Sequence, residues 1–143
     1  MSAGTPGGGP GPRPLRVLVF NDSPDVLGTL TRWFETHGHA VRSAQLAELR
    51  NAYEDCIEMI QAQHPDVIVF DVGLAYLPNW DFLQALRQTP SLQGFPFVLT
   101  TPNKTVLEEL VDEPTNAIEL VGREEDLTAI LRAVERAAEV LPG

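Results

Sequence analysis

At 143 residues, with 43% hydrophobic side chains, the chain has the length of one domain and enough apolar surface for one core. Its net charge of −10, from 20 acidic against 10 basic residues, and the lack of any Lys/Arg run argue against the basic face that duplex binding needs. No apolar run approaches the roughly 20 residues of a membrane helix. No basic-then-apolar leader opens the sequence, and the single cysteine, Cys56, has no partner for a disulfide, so a reducing, cytoplasmic setting is expected.

Residues 1–14 read MSAGTPGGGPGPRP and are too rich in Gly and Pro to build a core, so a disordered tail is expected there and a folded domain over 15–143. Leu15 to Phe20 is a short apolar run that predicts a buried strand. Ser23-Pro24-Asp25 then supplies an N-cap, a proline for the first helical position and an early acid. Val26, Leu27, Leu30, Trp33 and Phe34 follow at helical spacing until Gly38, and Ala40 to Ala44 predicts a second, short strand.

Leu46, Leu49, Tyr53, Cys56, Ile57 and Ile60 keep one helical period up to His64-Pro65, which predicts a single longer helix with Cys56 on its core face. Asp66 to Asp71 is the clearest buried strand of the chain. Trp80, Leu83 and Leu86 mark a third helix, Phe95 to Thr101 a fourth strand, and Val106 to Val111 a short fourth helix. Ala117 to Val121 predicts a fifth strand, and Leu127 to Leu141 a closing helix. His37 and His39 flank the Gly38 stop and are expected to be exposed, whereas His64 sits at a helix end where partial positive charge is favourable.

Five strand–helix repeats imply an α/β, doubly wound parallel sheet with helices on both faces, and the commonest five-strand order for such sheets is the flavodoxin-like 2-1-3-4-5. Ligands in these sheets bind beyond the carboxyl ends of the strands. Those ends carry Asn21-Asp22, Asp71, Thr100-Thr101 and Gly122-Arg123. Two carboxylates on one edge repel unless a cation or a proton intervenes, and oxygen donors with room for water suit Mg²⁺. A carboxylate can also attack phosphorus, a reaction that needs positioning and charge neutralisation above all. Strand-end Asp and Asn are also common turn and cap formers, and Asp22 could simply help to start a helix. Asp71 differs because it follows a buried apolar run, where desolvation is costly without a partner.

These residues resemble the receiver domains of bacterial two-component response regulators. The likeness spans Leu15 to about Leu141 and rests on Val17-Leu18-Val19-Phe20-Asn21-Asp22, on Pro65-Asp66-Val67-Ile68-Val69-Phe70-Asp71, and on Pro96-Phe97-Val98-Leu99-Thr100-Thr101. It implies that Asp71 is the phosphoacceptor and that Mg²⁺ is held by Asp22 and Asp71, with Asn21 through water and Gly73 through its carbonyl. Thr101 would be the hydroxyl that bonds the phosphoryl group, at the family's spacing from Asp71, and Arg123 would be the fixed cation. A register with Thr100 in that role is the opposing possibility.

The chain departs from the family pattern at several points. Asn21 replaces an acid, Arg123 a lysine, Glu124 the proline after that lysine, Leu120 a switch aromatic and Ala75 a proline. Pro102 follows the switch threonine and offers no N–H. A phosphatase of the haloacid-dehalogenase type would need a second Asp where Gly73 stands, and a nucleotide-binding loop would need glycines where Asn-Asp-Ser-Pro stands.

Two readings follow. One is a single-domain, non-enzymatic response regulator that takes a phosphoryl group from a sensor histidine kinase or phosphotransfer protein and passes the signal on by protein–protein contact. The other is a pseudo-receiver that signals by binding alone. Neither a nucleic-acid nor a membrane partner is expected, and the oligomeric state is left open.

Overall fold

The computed structural model describes residues 13–139. The expected tail lies outside the described residues up to residue 12, as does the end of the closing helix from residue 140. The elements are β1 (Arg16–Asn21), α1 (Pro24–Thr36), β2 (Ala40–Gln45), α2 (Leu46–Arg50), α3 (Tyr53–Gln63), β3 (Val67–Asp71), α4 (Tyr76–Gln88), β4 (Phe97–Thr101), α5 (Lys104–Val111), β5 (Ile118–Glu119) and α6 (Glu124–Glu139). The five strands form one parallel sheet in the order β2-β1-β3-β4-β5.

The local signals act as their chemistry dictates. The Ser23 hydroxyl accepts from Val26 N at 3.2 Å and starts α1 with Pro24 in its first turn, while Gly38, at φ +90°, ends the turn into β2. The Asn103 side chain caps α5 in the same way, accepting from Val106 N at 3.1 Å. β1 and β3 are buried on both faces, which is why they read as continuous apolar runs rather than alternating ones. One core packs Phe20, Phe70, Ile60, Cys56 and Leu83 on one side of the sheet, with Phe20 and Phe70 edge to face at 6.2 Å. The other packs Val17, Val19, Leu30, Phe34 and Val134 beneath α1 and α6. Among the described residues, no helix is long and apolar enough to cross a membrane.

Three expectations change. The single helix over 46–63 is two, α2 and α3, parted at Asn51-Ala52, where Ala52 has φ −140° and ψ 58°. The apolar period survives the break because both helices pack on the same core, so periodicity alone does not reveal it. His39 is not exposed but 4% accessible. Its Nδ1 accepts from Leu15 N at 3.1 Å and its Nε2 lies 3.1 Å from Glu135 Oε2, so the ring ties the start of β1 to α6. The fifth strand shortens to Ile118–Glu119, because only Thr100 and Thr101 of β4 pair with it.

Candidate functional site

The carboxyl edge of the sheet opens into a cavity of about 320 Å³ whose walls include Asn21, Asp22, Asp71, Gly73, Leu74 and Pro102. Asp71 is the last residue of β3 and is 8% accessible. Burial, opposed by a hydrogen bond from Thr100 and assisted by the charge of Asp22, pushes its pKa up to about 6.

The pairing register decides which threonine meets it. Asp71 stands opposite Thr100, so the two share a face, and Thr100 Oγ1 donates to Asp71 Oδ1 at 2.7 Å. Thr101 points to the other face, where its hydroxyl donates to the Val72 carbonyl at 2.8 Å. The expected contact of Thr101 with the site therefore falls to Thr100 in this structure, because successive residues of a strand face opposite ways.

Thr100 holds Oδ1 of Asp71, and the other oxygen, Oδ2, faces Gly73 closely enough that a Cβ built on Gly73 would lie 2.7 Å from it. Any side chain at 73 would therefore force the Asp71 carboxylate or the loop to shift. Asn21 is buried, and its Oδ1 accepts from Ser23 N at 2.8 Å, which folds the strand end into α1. Asp22 lies at the cavity mouth, where its Oδ1 accepts from Ala47 N at 2.7 Å and its Oδ2 faces Arg50 at 3.2 Å. Arg123 is not brought to the cavity: its guanidinium reaches Asp126 at 3.3 Å and is 61% exposed. Asp126 also accepts from Val121 N and Arg123 N at 3.1 Å each, so it organises the turn into α6 and holds Arg123 there.

Two further residues belong to the site. Asn79, 1% accessible on α4, donates to the Leu74 carbonyl at 3.1 Å and the Gly73 carbonyl at 3.4 Å. Its signal was present in the sequence, as an amide on the same helical face as Phe82, Leu83 and Leu86. Arg50 donates to Asn79 Oδ1 at 2.5 Å as well as to Asp22. It carried no signal, since an arginine inside an unbroken helical period reads as a solvated surface residue.

Among the described residues, no three His, Cys, Asp or Glu side chains gather as a metal cluster. The donor set does fit Mg²⁺ in kind. Asp22, Asp71, Asn21 and Gly73 line one cavity, and each carboxylate oxygen keeps a lone pair beyond any hydrogen bond it accepts. A Cβ on Gly73 would crowd Asp71 Oδ2 at 2.7 Å, so glycine leaves that oxygen free of a side chain from the following loop.

No family model matches the chain. Protein Rrf1 of Nitratidesulfovibrio vulgaris (strain Hildenborough) is 30% identical over 124 residues, covering 87% of this chain and 83% of Rrf1. Response regulator MprA of Mycolicibacterium vanbaalenii is 28% identical over 127 residues, covering 86% of this chain and 51% of MprA, so the chain spans most of the first relative and about half of the second. Among solved structures, the chemotaxis response regulator CheY4 of Vibrio cholerae superposes with a TM-score of 0.56 at 22% identity, over 85% of this chain and 98% of CheY4, a likeness of fold.

Proposed function

The chain belongs to the receiver-domain family of response regulators, and on that premise we propose that it works by accepting a phosphoryl group on Asp71 from a sensor histidine kinase or phosphotransfer protein. The observation that carries this reading is Asp71 itself. It is a carboxylate at the end of a fully buried strand, held through one oxygen by Thr100, with the other facing an open cavity. With a pKa of about 6, it is mostly ionised at neutral pH and keeps the nucleophilic form.

In the proposed step, Asp71 Oδ2 attacks phosphorus and an O–P bond forms. The P–N bond to the donor imidazole breaks, and its electron pair stays on the ring nitrogen. Thr100, already donating to Oδ1, fixes the carboxylate plane, and in the proposed step its hydroxyl would turn from Oδ1 to a phosphoryl oxygen. Gly73 keeps the approach clear and Asn21 shapes the cavity wall. A Mg²⁺ ion held by Asp22 and Asp71, with Asn21 and the Gly73 carbonyl as further donors, would supply the positive charge that lets a carboxylate approach an anionic phosphoryl group. Output by protein–protein contact and a cytoplasmic setting belong to the same proposal.

The pseudo-receiver reading keeps specific support. Both oxygens of Asp22 are engaged by the protein's own donors, and Arg123 is turned toward Asp126. Intact-mass measurement after acetyl phosphate and Mg²⁺ separates the two. One added phosphoryl mass, lost in Asp71→Asn and slowed more by Thr100→Ala than by Thr101→Ala, is the expected result. A folded sample that takes no phosphoryl group from acetyl phosphate or from a kinase leaves only the pseudo-receiver.

A further inference from the structure

Arg50 ends the short helix α2, which the break at Asn51-Ala52 separates from α3. Without that break the chain would continue as one helix through residue 50. The break instead leaves α2 beside the cavity mouth, held by the Ala47 N–H on Asp22 Oδ1. The Arg50 guanidinium then bridges two groups of the site. It lies 3.2 Å from Asp22 Oδ2 and donates at 2.5 Å to Oδ1 of the buried Asn79. Asn79 in turn holds the carbonyls of Gly73 and Leu74. The chain thus carries its own cation on the carboxylate that a metal would need, linked to the loop that follows Asp71.

Building on the reading of this cavity as a Mg²⁺ site, we propose that Arg50 is a resident cation that competes with the divalent ion for Asp22. Arg50 sets the metal affinity of the site and couples it to the Gly73–Leu74 loop. The electrostatics run one way. A guanidinium cannot deprotonate, so its charge on Asp22 is permanent, and a second cation on that carboxylate must share it or displace it. The pair is partly exposed, with side-chain accessibilities of 24% for Arg50 and 39% for Asp22, so the competition is modest and reversible rather than a lock. Displacing the guanidinium also removes a donor from Asn79 Oδ1, so a change at Asp22 reaches the carbonyls beside Asp71 without any movement of the sheet.

The test is Mg²⁺ titration of the full chain by calorimetry, with the Ala47 amide followed by NMR because its acceptor is Asp22. Arg50→Gln keeps a donor for Asn79 and removes the charge. It should bind Mg²⁺ roughly fivefold more tightly, the equivalent of ~1 kcal/mol for a partly exposed pair. Arg50→Lys, which keeps the charge, should stay near wild type, and adding Asp22→Asn to Arg50→Gln should erase the gain. Unchanged or weaker affinity in Arg50→Gln overturns the proposal, as does a total lack of Mg²⁺ binding in both wild type and variant. A variant that unfolds assigns Arg50 to the fold and overturns it too. Tighter Mg²⁺ binding in Arg50→Gln with no phosphoryl adduct by intact mass sinks the phosphoacceptor reading and leaves the competition standing.

Discussion

A carboxylate stands at each end of β3, and the two live in opposite conditions. Asp66, just before the strand, accepts from Arg16 N at 2.8 Å and from the Arg13 guanidinium at 3.1 Å. Partial burial pulls its pKa up, but those donors pull it down further, and the net shift is below the usual carboxylate value. Asp71, at the other end, is more deeply buried, has one hydroxyl donor and has a second carboxylate nearby instead of a cation. The same residue type at the two ends of one strand is therefore a satisfied structural anchor before the amino end and a buried carboxylate with a single donor at the carboxyl end. A doubly wound sheet makes this asymmetry natural, since its ligands gather beyond the carboxyl ends of the strands.

The largest expected effect follows from Asp71. Its folded-state pKa is raised from 3.8 to about 6, so the native protein holds this proton more tightly than the unfolded chain does. That contribution to stability is present in full below about pH 4 and is lost as pH rises through about 6. Above pH 7 the wild type therefore bears the full cost, on the order of 3 kcal/mol for a shift of this size. Asp71→Asn, which cannot ionise, should be the more stable protein by up to that amount at about pH 8, with the gap closing toward pH 4. Denaturant midpoints across that range check it, and coincident midpoints at the alkaline end would break the comparison.

Gly73→Ala comes next. Its Cβ would fall 2.7 Å from Asp71 Oδ2, so the loop or the carboxylate must shift, at a cost of about 2 kcal/mol. The Asp71 titration followed by NMR should move with it, whereas an alanine that leaves both stability and titration unchanged would mean that the loop is slack. Asp66→Asn should have the smallest effect. It loses one of two hydrogen bonds at a partly exposed site, about 1 kcal/mol at neutral pH. Because the pKa of Asp66 is lowered, this loss should fade as pH falls below about 4, so both gaps close toward acid but with opposite sign: Asp71→Asn stabilises and Asp66→Asn destabilises at neutral pH. The same sign of effect in both variants at neutral pH would collapse the distinction between the two ends.

The β3 and β4 runs, the Ser23-Pro24 start of α1 and the alternation of strands with helices were legible because each is written in local residues. Asp71 was legible for the same reason, as an acid closing a run of buried apolar residues. His39 was not, because nothing local shows that its two ring nitrogens meet the Leu15 N–H and Glu135. Arg50 was hidden inside an apolar period that continues across a broken helix.

Sequence by itself determined the five-stranded α/β order and the collection of Asp22, Asp71 and the paired threonines on one sheet edge, since strand order and strand ends follow from pattern and handedness. Only the tertiary structure decided which side chains on that edge meet. Thr100 rather than Thr101 faces Asp71 because a strand alternates its faces residue by residue, and the pairing of Asp71 with Thr100 fixes which set turns inward. Arg123 turns to Asp126 and Arg50 turns to Asp22 because long cationic side chains settle on whichever carboxylate the fold brings within reach, and that proximity is a property of the packed chain.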